Sequence, residues 1–140
     1  MDPYRFGYSP IVERPKLSWP NGARVAVWVC PNIEHYEYVP EEVRIRNPWP
    51  RTPHPDVLGY GGRDYGNRVG VWRCLELFDE LNLPAAHLIN TTVFDYAPQI
   101  VDALKARGDE FIGHGRTNAE RHGLMWESDE KRFLEEVRDA

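Results

Sequence analysis

Three apolar runs of strand length alternate along the chain with three segments of helical period, and few architectures accept that order. Residues 24–30, Arg-Val-Ala-Val-Trp-Val-Cys, form a β-branched run closed by Pro31, apolar on both faces as in a buried parallel strand. From Asn67 to Leu81 the period becomes helical: Val71, Cys74, Leu75, Phe78 and Leu81 recur three and four apart, and Pro84 lies beyond. Residues 85–94, AAHLINTTVF, read as a second strand. A second helix follows in YAPQIVDALKARG, with Pro98 in its first turn, Ile100, Val101 and Leu104 inward, and Gly108 as its stop. Residues 110–113, EFIG, are a short third strand. Ser128 is placed to cap a last helix, with Asp129 and Glu130 in its first turn and an apolar stripe of Phe133, Leu134 and Val137. Strand and helix repeated three times predict an α/β fold with a parallel sheet and crossover helices.

In such sheets the functional loops follow the carboxyl ends of the strands. The first strand is followed there by Asn32, Glu34, His35 and Glu37, and the third by His114 and Asn118. Glu34 is a carboxylate suited to general base work, and His35 and His114 are nitrogen donors for a divalent metal or for a water. Asn118 is the weakest member, because an amide oxygen is a poor zinc ligand and asparagine is an ordinary turn residue. Each residue also has a plain structural role open to it: a hydrogen-bonded histidine, or a solvated carboxylate. The shared strand end predicts Glu34 and His114 close enough to share a water.

Residues 38–66 hold five prolines and no sustained period, which predicts a long ordered loop carrying the aromatics Tyr38, Trp49, Tyr60 and Tyr65. Its stretch GYGGRDYG, residues 59–66, lacks the spacing or lysine of a phosphate-binding loop. Arg63 and Tyr65 can hydrogen-bond a polar ligand there, although Arg63 can equally anchor its own loop. His54 lies between prolines, His87 is expected to pack, and His122 sits in a polar turn.

Net charge −5 and a pI near 5.5 argue against a protein that tracks nucleic-acid phosphates. No apolar run is long enough to span a bilayer, and the first residues lack the basic and apolar regions of a secretory signal. Cys30 and Cys74 sit in apolar segments and are expected to be buried free thiols, so a cytoplasmic protein is expected. The length suits one domain, over residues 23–140, preceded by an extended arm over residues 1–22 packed on it.

The blocks RVAVWVCPNIEHYE, RDYGNRVGVWRCLELFDELNLP, NTTVFDYAPQIVDALKARGDEFIGHG and SDEKRFLEEV occur in that order over residues 14–140. Together they resemble the N-terminal half of the polysaccharide deacetylase superfamily (nodulation-factor deacetylase homology), nearest its metal-independent allantoinase-like branch. The resemblance implies the N-terminal part of a (β/α) barrel and a hydrolase acting on nonpeptide C–N bonds. In that family two adjacent acidic residues follow the first strand, one the catalytic base and one a metal ligand; Glu34 and His35 hold those positions here. Two histidines four apart follow the third strand in the family, matched here by His114 and Asn118.

By the resemblance, Glu34 and His114 are the catalytic candidates, and His35, His114 and Asn118 are the remnant of a metal site. Asn32, Arg63 and Tyr65 complete the set as substrate contacts. The altered ligands imply no cofactor or a weakly held zinc, and a small-molecule amide or N-acetylated sugar as substrate. The family's later catalytic motifs have no counterpart in these 140 residues. Two alternatives follow: a noncatalytic half-domain acting as a binding or assembly module, and a metal-dependent sugar N-deacetylase. Three strands cannot close a barrel, so the open sheet edges predict either a fragment of a longer protein or, if the 140 residues are the whole polypeptide, a homo-oligomer.

Overall fold

The computed structural model describes residues 6–38, 55, 57–118 and 122–140. The expectations for Trp49 and His54 lie outside them. At the centre is a three-stranded parallel sheet ordered β1 (Asn32–Ile33), β2 (Ala86–Ile89), β3 (Glu110–Gly113). Ile33 lies beside Ile89, and Ile89 beside Gly113. Between β1 and β2 the chain forms α1 (Val57–Tyr65), a π-helical turn (Gly66–Gly70) and α2 (Val71–Glu80). Two helices, α3 (Thr92–Tyr96) and α4 (Pro98–Arg107), lead from β2 to β3, and α5 (Glu127–Asp139) follows. The α/β class is as expected, and among the described residues the sheet does not close into a barrel.

The core forms where the inward stripes of the helices meet one face of the sheet. Ile33 and Ile89 pack with Leu75 of α2, Val93 of α3, and Ile100, Val101 and Leu104 of α4. Burying each such side chain stabilises the fold by about 1.5–3 kcal/mol. A polar knot fastens the far side. Arg107 Nε donates to Asp109 Oδ2 at 2.8 Å, and its other nitrogens reach the Leu83 carbonyl at 3.1 Å and the Asp79 carboxylate, joining the ends of α2 and α4. Burial alone would raise the Asp109 pKa, but hydrogen bonds from Arg107 and His87 bring it below the ordinary value. On the other face α5 approaches β3 so closely that a Cβ on Gly113 would lie 2.9 Å from Val137 Cγ1.

Several expectations need correction. Residues 24–30 are not a buried strand: Val25, Val27 and Trp28 are 72%, 81% and 71% exposed. Pairing begins only where the Val29 carbonyl accepts from the Ala86 amide, and continues through the Pro31 and Ile33 carbonyls. Among the described residues β1 pairs with β2 alone, and Val25, Val27 and Trp28 precede that ladder and meet solvent. The second strand stops at Ile89, because Asn90 turns its side chain to the neighbouring strand ends and α3 starts two residues later. The stretch 57–66 is not a loop but the first helix of a continuous helical run. Residue 126 is the N-cap of α5, which leaves Ser128 inside the first turn. Leu81 and Leu134 are half or more exposed. The thiols are free as expected but not buried: Cys74 is exposed and Cys30 partly so. In the described part of the arm, Phe6, Tyr8, Ile11, Val12 and Leu17 stand in solvent rather than on the domain.

No helix among the described residues is long and apolar enough to cross a membrane.

Candidate functional site

Asn90, fully buried, holds together the loops that leave the three strands. Its Oδ1 accepts from the His35 amide at 2.8 Å, and its Nδ2 donates to the His114 carbonyl at 2.5 Å and more weakly to Asn118 Oδ1 at 3.4 Å. The Asn118 amide donates to the His35 carbonyl at 3.3 Å, tying the first and third loops directly. Gly115 lets the third loop turn just after His114: its φ is +76°, and a Cβ there would lie 3.3 Å from the Phe133 ring.

On this frame Glu34 and His114 meet directly, without an intervening water. His114 Nε2 lies 3.1 Å from Glu34 Oε1, with both side chains about three-quarters buried. Tyr36 donates its hydroxyl to Glu34 Oε2 at 2.8 Å, and Asn32 Nδ2 reaches Oε1 at 3.3 Å. Asn118 Nδ2 supports the cluster from behind by donating to the Tyr36 hydroxyl at 2.8 Å. Burial alone would raise the Glu34 pKa, but the side chains of Asn118, Tyr36, His114 and Asn32 around the carboxylate bring it below its ordinary value. Glu34 is therefore an anion at neutral pH and accepts the Nε2 proton of His114. A carboxylate offers about four acceptor positions, and three of those of Glu34 are taken, two on Oε1 by His114 and Asn32 and one on Oε2 by Tyr36.

The other candidates are spread around this pair. Arg63 lies on α1 with its guanidinium 4.1 Å above the Tyr36 ring, a cation–π contact at the mouth of the cluster. Tyr65 is 54% exposed and points to solvent. The His35 ring packs on Tyr96, with centroids 4.6 Å apart. The Tyr96 hydroxyl in turn donates to Asp64, which pushes its pKa up to about 12. Three residues of the site were not singled out from the sequence: Tyr36, Asn67 and Asn90. Asn67 Nδ2 donates to the Glu34 carbonyl at 2.8 Å. The signal for Asn90 was a polar residue directly after a buried strand, at the same end as the other two loops.

These donors do not suit zinc. A catalytic zinc site needs three good protein ligands, and the cluster offers one carboxylate and one imidazole already bonded to each other. Asn118 Oδ1 faces the buried Asn90 amide. Among the described residues no group of three His, Cys, Asp or Glu side chains is placed to hold a metal.

No protein-family model and no curated protein matches the chain. Solved structures do match in fold. Against the crystal structure of Puue allantoinase the TM-score is 0.66 at 23% identity, over 85% of this chain and 42% of that one. A Mycobacterium smegmatis protein assigned to the polysaccharide deacetylases matches with a TM-score of 0.52 at 25% identity, over 58% of this chain and 28% of that one. The chain thus shares a fold with allantoinase-like and deacetylase-like proteins and spans less than half the length of either structure.

Proposed function

We propose that this domain is a recognition and assembly half-domain of the deacetylase-like fold, whose Glu34 cluster binds a small amide, cyclic ureide or N-acetylated sugar. The observation that carries this reading is that the Glu34 carboxylate is already engaged by His114, Asn32 and Tyr36, with no third metal-competent side chain placed beside it among the described residues. A general base must reach the proton it abstracts with a free oxygen, and the Glu34 oxygens already accept from His114 and Asn32 on Oε1 and from Tyr36 on Oε2. As an acceptor it suits a ligand N–H, which enters by exchanging with the weakest donor, Asn32 at 3.3 Å. Arg63, above Tyr36, borders the same opening and supplies a polar contact, with Tyr65 further out on the same helix.

The assembly role draws on the exposed Val25, Val27 and Trp28 beside the edge of β1, which invite a second surface, a further copy of the chain being the simplest. A second reading, hydrolysis of a nonpeptide C–N bond with Glu34 as base and His114 orienting, is favoured by their 3.1 Å contact at the strand ends. A metal-dependent sugar N-deacetylase finds no support in the donor set.

Titrating the protein with N-acetylglucosamine and with a five-membered cyclic ureide, while following acetate release from the sugar and ring opening of the ureide to its ureido acid, separates these readings. The recognition reading expects saturable binding without turnover, weakened by Glu34→Gln. Turnover that disappears in Glu34→Gln establishes the hydrolase reading instead, and absence of both binding and turnover overturns the two together.

A further inference from the structure

A cleft of about 350 Å³ runs along the open edge of β1, between that edge and the helical run from α1 through α2. Gly62, Gly66 and Gly70, four residues apart, form its helical wall, and a Cβ on any of them would meet nothing within 4 Å. Val71, Leu75 and Phe78 make the wall apolar further down. Small residues and apolar walls alone do not define a site. His87, which also lines the cleft, supplies what they lack.

His87 is 1% exposed, and its Nε2 lies 2.9 Å from Asp109 Oδ2. The Asp109 carboxylate is paired with the Arg107 guanidinium as well, so it is an acceptor only, and the His87 proton belongs on Nε2. Nδ1 is then a buried lone pair, and it has no partner. Nδ1 has almost no surface open to the cleft, so a donor reaches it only as the ring or the wall beside it shifts; leaving such an acceptor unpaired costs about 1–3 kcal/mol, which favours that shift. The register of β1 on β2 places Pro31 at the level of His87, three residues or about 10 Å from Glu34 at the upper end.

We propose that this cleft is a binding site for a small, flat, largely apolar molecule with one N–H or O–H donor, the donor reaching His87 Nδ1 and the ring lying on the Gly62–Gly66–Gly70 wall. The volume is at the small end of ligand pockets, enough for a fused two-ring body. An added β-strand is the less suitable occupant. Alternation along β1 turns the Glu34 carbonyl towards the open edge, and Asn67 Nδ2 already occupies it at 2.8 Å. The same cleft reaches Asn32, Glu34, Tyr36 and Arg63 at its upper end, so the His87 readout, and not binding alone, distinguishes this proposal from binding at the Glu34 cluster.

Indole and benzofuran, equal in shape but different in the N–H donor, are the probes. They are titrated into the whole chain by calorimetry, with the His87 ring nitrogens followed by 15N NMR. Indole is expected to bind about 5- to 10-fold more tightly, the worth of one hydrogen bond, and to shift Nδ1 but not Nε2. Gly66→Leu fills open space and favours the helix, so the variant keeps its melting temperature and loses both ligands. Equal affinities, an unmoved Nδ1 signal, or binding that survives Gly66→Leu would each overturn the proposal. So would a high-resolution structure in which one ordered water satisfies Nδ1 and indole finds no place.

Discussion

Replacing Asn90 with alanine tests whether one buried amide holds the site together. The substitution leaves the His35 amide and the His114 carbonyl without the partners they have at 2.8 and 2.5 Å. A net hydrogen bond contributes about 0.5–1.5 kcal/mol, and a buried group left unpaired costs about 1–3 kcal/mol. With two groups affected and Asn90 fully buried, the expected loss is about 2–4 kcal/mol. For a domain of this size that lowers the melting temperature by roughly 10 °C. Urea unfolding of Asn90→Ala beside Gln99→Ala, an exposed helical position expected to change stability by no more than about 0.5 kcal/mol, measures it. The loss should come with a rise in the Glu34 pKa, because the Asn118 and His114 loops no longer converge on it. A loss below about 1 kcal/mol together with an unchanged Glu34 titration refutes the reasoning, since the loops would then hold their places without Asn90.

Gly115→Ala forces a side chain onto φ +76° and within 3.3 Å of Phe133; it should destabilise by about 1–3 kcal/mol in urea melts, whereas a cost near zero would show that the turn relaxes freely. Asp109→Asn removes the carboxylate that Arg107 and His87 share and should cost about 2–4 kcal/mol. The Asp109 folded pKa lies below the ordinary 3.8, so its contribution is fully present above that value and is lost as pH falls through the folded one. The acid limb of the stability profile should therefore flatten in Asp109→Asn, and an unchanged limb would contradict the assignment. Light scattering at micromolar concentration should find a dimer or larger species, burying more than about 1,000 Å², that dissociates in Val27→Glu; a monomer would leave the exposed Val25, Val27 and Trp28 without the proposed role.

The parts of the fold that could be read in advance are those where local pattern and packing agree. Ile100, Val101 and Leu104 recur at helical spacing, and all three enter the core. Residues 110–113 form a strand flanked by polar residues, as the sequence suggests. The stretch 57–65 went the other way. Three glycines and the nearby prolines give it poor helix propensity, yet Arg63 over Tyr36 and, one turn beyond, Asn67 on the Glu34 carbonyl help fix a helix that no local rule favours. The apolar run 24–30 misled because composition cannot distinguish a strand buried on both faces from one approaching a sheet edge.

At the site, Glu34 and His114 were legible from their shared strand end. Asn90 was not, because an asparagine after a strand looks like a turn residue until its partners 24 and 55 residues away are known. His35 was placed beside the pair by adjacency in sequence, and its ring lies instead on Tyr96.

The state of the Glu34 carboxyl decides between a held anion and a base poised for catalysis, and 13C NMR titration of that one carbon reads it directly. These polar neighbours predict a midpoint below 4.5 that moves upward in His114→Ala as one donor is lost. A depressed folded pKa also means that Glu34 contributes to stability above its unfolded pKa, and that this is lost as pH falls through the folded value. A midpoint raised above 4.5 towards neutrality would contradict the account, because burial would then outweigh the hydrogen bonds and Glu34 would be tuned for proton transfer.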